Sequence, residues 1–336
     1  MGNARRAKAY VLYNSRDISG FITDFSYTDN TDATDDASLT LTDREQRWVN
    51  EWFPQTGDRE TCEIQVSDWN GENDNRSLPL GAFEVDEVDF QDTVSVKAVS
   101  APITSSIRSE KKSKSWEKIT LKKIAGDAAK TAGLELVYET GVDPFYDKND
   151  QNNKSDLEFL EQLCKSDGLC LKVTESRLII FEESKYDQEP AVLTIKRGSA
   201  NIIGFPKFKR NAKNIYTACE ISYSDSKTDK TYVGRFTAPN VGKVGHVLKL
   251  QESFNSKTDD INLDRKAKAR LREQNKKEWT ADFTLKGDII YFAGINANVE
   301  GWYMFDGKYN IKTVTHSISG GGYTVDLHME RCLEGY

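Results

Sequence analysis

The first hundred residues alternate apolar and polar positions with a period of two. "AYVLYN" (residues 9–14) leads through a polar turn at 15–20 into "FITDFSYT" (21–28), and "ASLTLTD" (37–43) puts Leu39 and Leu41 on one face. "TCEIQVSDW" (61–69), "LGAFEVDEVDF" (80–90) and "DTVSVKAVSA" (92–101) repeat the pattern between turns rich in Asn, Asp and Gly. Successive side chains of a strand point to opposite faces, so this spacing predicts half-buried strands. About six of them in ~100 residues suffice for a barrel or sandwich. "REQRWVNEWF" (44–53) breaks the alternation and predicts a short helix stopped by Pro54.

The pattern changes at Pro102. "SIRSEKKSKSWEKITLKK" is basic, and a helix is expected from Ile119, with Leu121, Ile124, Ala128 and Ala132 at helical spacing and Gly133 as its stop. "LELVYE" (134–139) reads as a strand. Ser155 and Glu158 form an S-x-x-E capping box for a second helix with Leu157, Leu160 and Cys164 on its apolar stripe. Gly168 ends that helix, and "LCLKVTESRLIIFEE" (169–183) predicts a hairpin around Glu175 and Ser176. From Ala191 strands dominate again: "AVLTIKRG", "IYTACEISYSD" and "KTYVGRFTA". One helix, 263–279, carries only a thin stripe of Leu263, Ala267 and Leu271, which suits a helix lying on a sheet. The expected fold class is α+β and β-rich: two tube-like antiparallel β-barrel or sandwich domains with a small α/β domain between them. The expected division is 1–102, 103–185 and 186–336, the last holding the amphipathic helix near 263–279.

A chain of 336 residues has room for about two domains. Its 38% apolar residues supply ordinary cores, while a mean hydropathy of −0.64 and 29% charged residues point to much polar or shared surface. The net charge of −7 is the reverse of what a free nucleic-acid binder carries. The longest apolar run, "IIYFAGI" (289–295), is far short of the ~20 residues of a membrane span. The N-terminal stretch lacks an apolar segment, so no signal peptide is expected, and Arg6 stands where a myristoylation motif wants Ser or Thr. Five widely spaced cysteines without a CxxC pair predict reduced, mostly buried thiols.

Candidate chemistry concentrates in "THSISGGGYTVDLHM" (315–329), which holds two of the three histidines and three consecutive glycines. A turn at 319–322 would pair Ile318 with Tyr323, His316 with Val325 and Val314 with Leu327. That register sorts apolar residues to one face and polar ones to the other, and it parts His316 from His328, so they cannot share a metal. The glycines lead into a strand rather than a helix N-terminus and do not make a phosphate loop. "VGKVGH" (241–246) has Val244 where a P-loop needs Ser or Thr, and Thr237 in place of its first glycine. "DFSYTDNTDATDD" (24–36) misses the alternate-position spacing of an EF-hand and reads as a solvated loop. Basic clusters at 108–123, at 265–277 and in "FPKFKRNAKN" (205–214) read as solvated faces or as patches for an acidic protein partner. No catalytic, cofactor-binding or metal-binding residues are assigned, and no cofactor is expected.

The order of elements resembles the bacteriophage late-control protein D family, the baseplate hub proteins of contractile tails. The resemblance rests on "DASLTLTDREQRW" with Trp48, on "GAFEVDEVDF" followed by "TVSVKAVSA", and on "KSKSWEKITLKKIAGDAAKTAGLELVY" with Trp116. It continues in "SDLEFLEQLCKSDGLCLKVTESRLIIFE", "ARLREQNKKEWTADFTLKGD" and "GKYNIKTVTHSISGGGYTVDLHME", so that it spans residues 8–330, and it is nearest to the short hubs of Gram-positive prophages and tail-like bacteriocins. The resemblance implies a non-enzymatic homotrimer whose paired tube domains adapt a sixfold tail tube to a threefold central spike and line the channel. Implied partners are the tail tube protein, the central spike protein and other baseplate proteins, the tape-measure protein among the candidates. No membrane and no sequence-specific nucleic acid are involved, and the place is the tail baseplate of a virion or phage-like particle assembled in the host cytoplasm. An acidic channel would pass DNA or tape-measure protein without adhesion, and a channel face of mainly Lys and Arg would contradict this. The alternatives are a baseplate-associated cell-wall hydrolase, or an oligonucleotide- or carbohydrate-binding β-barrel with Trp69 or Trp302 as its platform.

Overall fold

The computed structural model describes residues 4–101, 106–225, 229–239, 245–252 and 262–336. The first strands are β1 (Arg6–Tyr13), β2 (Arg16–Asp17), β3 (Ile22–Asn30), β4 (Asp36–Leu41), β5 (Arg59–Ser67), β6 (Arg76–Phe90) and β7 (Val94–Val99). Next come α1 (Ser106–Ser109), β8 (Lys112–Thr120), α2 (Leu121–Ala132), β9 (Glu135–Glu139), β10 (Phe145–Lys154), α3 (Asp156–Asp167), β11 (Cys170–Val173), β12 (Arg177–Phe181) and α4 (Glu183–Gln188). The remainder is β13 (Leu193–Lys196), β14 (Ile202–Arg210), β15 (Tyr216–Asp225), β16 (Lys230–Thr237), β17 (His246–Gln251), α5 (Leu263–Asn275), β18 (Trp279–Lys286), β19 (Asn296–Glu300), β20 (Gly307–Ser319) and β21 (Gly322–Arg331). The fold is β-rich α+β, as the alternation predicts.

Both ends of the chain build one sheet, in the order β14-β18-β21-β20-β3-β4-β7-β6-β5-β1-β2, with β19 and β13 branching from β20. The two halves meet where β3 pairs antiparallel with β20, Thr28 opposite Thr315 and Tyr27 opposite His316. One face of this sheet is the main core, which includes Phe25, Leu39, Ile64, Val96, Phe283, Val314 and Val325. Each such side chain, fully buried, contributes about 1.5–3 kcal/mol. A second apolar cluster packs α2 and α3 on the β9–β12–β11 sheet, and a third packs α5 on β15 and β16.

The helices of the middle segment begin and end where their caps dictate. Thr120 caps α2 by accepting from the Lys123 amide, and Gly133 closes it at φ 72°. The capping box at α3 is complete: Ser155 Oγ accepts from the Glu158 amide at 3.1 Å, and the Glu158 carboxylate accepts from the Ser155 amide at 2.9 Å. The hairpin of β11 and β12 forms at the expected turn, and β12 also pairs in parallel with β9.

Three local expectations need correction. Residues 44–53 form turns rather than a helix, because the Asp43 carboxylate takes the amides of Trp48 and Val49 and Gln46 adopts φ 54°. Ile119 belongs to β8, opposite Tyr146 of β10, so α2 starts two residues later. That ribbon of β8 and β10 is too polar for its period to show. Finally, α5 stops at Asn275, whose side-chain oxygen accepts from the Tyr216 amide and whose side-chain nitrogen donates to Tyr216 O and Tyr336 Oη. The boundary expected at 102/103 lies outside the described residues.

Candidate interaction surface

The second face of the sheet is polar across seven strands. One row runs Thr284, Asp326, Thr315, Thr28, Asp36, and the next runs Thr324, Ser317, Ser26, Ser38, Lys97, Glu87. Paired residues share a face, so these rows cover β18 to β6 without an apolar break before Val99. The side chains are short: Thr28 and Thr315 Oγ1 lie 3.4 Å apart, and Thr284 donates to Asp326. Carboxylates here (Asp24, Asp36, Glu87, Asp89, Asp282, Asp326) outnumber the lysines (Lys97, Lys207, Lys209, Lys286). A shallow trough of about 300 Å³ marks its β14 end, lined by Phe205, Lys207, Asp282, Thr315, Asp326 and His328 among others.

The closing hairpin has the expected register, with Ile318 opposite Tyr323, His316 opposite Val325 and Val314 opposite Leu327. His316 is 1% exposed and His328 lies on the polar face, 2.6 Å from Asp282. Nδ1 of His316 bonds Tyr323 Oη at 2.7 Å, Nε2 bonds Tyr291 O at 3.2 Å, and burial pushes its pKa down to about 4. It packs as a neutral core residue. Of the three glycines only Gly322 has a left-handed φ, 112°. The Gly-Lys pair of "VGKVGH" lies outside the described residues. Among the described residues no group of three or more His, Cys, Asp and Glu side chains could hold a metal ion.

The aspartate-rich stretch is not a solvated loop throughout. Asp29 and Asp35 are each 8% exposed and bind Lys172 Nζ of β11 at 2.8 and 3.0 Å, which ties the middle segment to the main sheet. Burial raises the Asp35 carboxyl to about 6 despite that cation. Nor is the basic helix a solvated face. Arg265 and Lys266 pair with Asp167 of α3 at 2.6 and 2.9 Å. Arg272 and Lys276 join Lys312 of β20 around Glu183 of α4, and Arg272 also meets Asp187. Burial alone would raise the Glu183 carboxyl, but Lys312, Arg272 and Lys276 outweigh it and hold the group well below the carboxylate range. Alternation along a strand or helix carries no sign of such partners, so sequence reasoning missed them. Trp69 is 6% exposed and gives its Nε1–H to Gly287 O, and Trp302 packs on Phe208 and Phe283, so neither offers an open aromatic platform.

Residues 185–330 match the family model described as YQBQ-like. No curated protein sequence matches the chain. The fold is similar to a tail protein from Neisseria meningitidis, with TM-score 0.70 and 13% identity over 97% of this chain and 96% of the other. It is also similar to the 43 kDa tail protein of prophage MuSo2 from Shewanella oneidensis, with TM-score 0.67, 16% identity and coverages of 96% and 98%. A third likeness is to a type VI secretion system component of E. coli that itself resembles bacteriophage T4 tail proteins, with TM-score 0.53, 11% identity and coverages of 99% and 78%. At such identities the likeness is one of fold, and the fold is one found in phage tail proteins.

Proposed function

We propose that this protein is a structural part of a phage-like tail, the baseplate hub that adapts a sixfold tail tube to a threefold central spike, and that it works as a homotrimer without catalysis. The observation that carries the reading is the polar face. A sheet assembled from both ends of the chain turns one face to the apolar core and presents on the other a broad polar field in which hydroxyls and carboxylates outnumber lysines. Such a surface gives a passing chain or nucleic acid little apolar area to adhere to, and its excess of carboxylates repels polyanions. Three copies with this face inward would line a channel. The proposed division is a first tube-like domain (1–102), an α/β unit (103–185) and a second tube-like domain (186–336), with the pairing of β3 and β20 as the joint between the tube-like parts. Partners in this reading are the tube protein, the spike protein, other baseplate proteins and the tape-measure protein, within a baseplate assembled in the host cytoplasm.

Electron microscopy of the chain co-expressed with the encoded tube and spike proteins tests it. A threefold ring between tube and spike is the expected result. A chain that binds neither partner, or lyses cell walls in zymography, would overturn the reading.

A further inference from the structure

Two margins of the sheet that carries the polar face lack a strand partner among the described residues, and they differ in charge. At one end, β14 pairs with β18 only, among the described residues. A register shift between Ile203 and Lys207, with Pro206 inside it, confines the regular edge to residues 207–210. This margin presents Lys207, Lys209 and Arg210, with Phe205 fully exposed beside them (101%). Farther along, where the sheet runs on through β5, β1 and β2, β6 pairs with β5 only up to Glu84 and with β7 from Glu84 to Phe90. Among the described residues its second half therefore has no strand partner on one side, and it leads into the turn to β7. This margin presents Glu87, Asp89 and Asp92, with Phe90 56% exposed. The cations near it are Lys97, paired with Glu87 at 2.6 Å, and Arg108, 3.7 Å from Asp86.

The charges of both margins lie on the polar face. Lys207 is opposite Asp282 and Lys209 opposite Thr280 on β18, while Glu87 is opposite Lys97 and Asp89 opposite Ser95 on β7. Each margin thus carries charges of a single prevailing sign on the polar face, whereas Phe90, opposite the buried Val94, lies on the other face. A twofold contact of either margin with itself would set like charges against each other. The cationic margin of one copy against the anionic margin of the next is matched in charge.

We propose that copies of this chain associate head to tail, the β14 margin (Lys207, Lys209) of one against the β6–β7 margin (Glu87, Asp89) of the next. A heterologous contact of this kind closes into a ring when its rotation permits. The inference rests on the trimeric reading above and names the surfaces that make the trimer.

The test is native mass spectrometry and sedimentation of the full chain at low ionic strength. The variants are Lys207→Glu with Lys209→Glu, Glu87→Lys with Asp89→Lys, and all four changes in one chain. All four positions are exposed, and unchanged circular dichroism and thermal unfolding confirm that each variant folds. The expected result is a wild-type trimer that dissociates as salt rises, monomers for each two-residue variant, and a trimer again when the charges are exchanged on both margins. Two-residue variants that remain as trimeric as the wild type would overturn this interface and leave the trimer standing. Monomeric two-residue variants without recovery in the fourfold exchange would overturn it as well. A wild-type chain that is monomeric at every concentration and salt would remove the trimer and the interface together.

Discussion

Lys172→Met tests the joint between the middle segment and the main sheet. The lysine side chain is 19% exposed, and its partners Asp29 and Asp35 are 12% and 11% exposed at the side chain. Removing it leaves two carboxylates in a low-dielectric site without their cation. Loss of one member of a buried pair costs about 3–5 kcal/mol, and that loss is expected at pH 8. The penalty depends on both acids being charged. Asp35 titrates at about 6 even with the cation present, and without Lys172 it moves higher. At pH 5 it is neutral, and the loss should shrink to about 1–2 kcal/mol. Urea unfolding followed by circular dichroism at both pH values measures the difference. The triple replacement Asp29→Asn, Asp35→Asn and Lys172→Met should return most of the stability, since replacing a whole buried cluster costs far less than breaking it. A loss below about 1 kcal/mol at pH 8, or equal losses at both pH values, would refute the reasoning.

Asp35→Asn alone should stabilise the protein by about 1–3 kcal/mol at pH 8, with the gain vanishing below pH ~4. The sign follows from a folded-state value of about 6 against an ordinary 3.8: the acid's contribution is fully present below the lower value and is lost as pH rises through the upper one. His316 has the opposite sign. Its folded value of about 4 lies below the ordinary 6.5, so the unfolded chain takes up the proton first and stability falls as pH drops between them. NMR titration of the ring should show a neutral imidazole at pH 6, and a midpoint near 6.5 would contradict its burial. Gly168 and Gly133 share φ 72°, but a Cβ at Gly168 would meet Ala269 Cβ of α5 at 2.4 Å, whereas one at Gly133 meets nothing within 4 Å. Gly133→Ala should cost about 1 kcal/mol for the backbone alone, and Gly168→Ala clearly more by thermal unfolding.

Elements whose neighbours in sequence are also their neighbours in space were legible. The capping box at Ser155 and Glu158, the stops at Gly133 and Gly168, and the register from Val314 to Leu327 depend on local geometry and on a strict two-residue alternation. The ribbon of β8 and β10 was illegible because only Trp116, Tyr146 and Gln151 are buried along it, too few to print a period. Residues 44–53 misled because Trp48, Val49 and Trp52 mimic a helical stripe while the Asp43 carboxylate caps a turn. The polar face was half legible. Ser26, Thr28, Thr315 and Asp326 could be assigned to the outward side of their strands, but the pairing of β3 with β20 joins residues 287 positions apart. The charged joints were not legible at all, since Lys172, Glu183 and Asp167 carry no mark of the partners they find.

Those joints and the two margins follow one physical logic. Apolar burial is non-directional, so the three apolar clusters supply cohesion without fixing how one cluster sits against the next. Charge pairs are directional and costly when mismatched, because a buried ion without its partner keeps its desolvation cost. Asp29 and Asp35 accept Lys172 from one orientation of β11, and Asp167 accepts Arg265 and Lys266 from one orientation of α5. In the proposed contact between copies the same device would act at the surface, where exposed pairs are weaker and their worth lies in rejecting wrong alignments. A β14 margin facing another β14 is repelled by its own lysines, and a β6 margin facing another β6 by its carboxylates. The alignment left open is head to tail, and it repeats around a ring without a twofold axis in the sheet. For the proposed trimer, in which the same polar face would recur three times, selecting the alignment matters more than adding contact area.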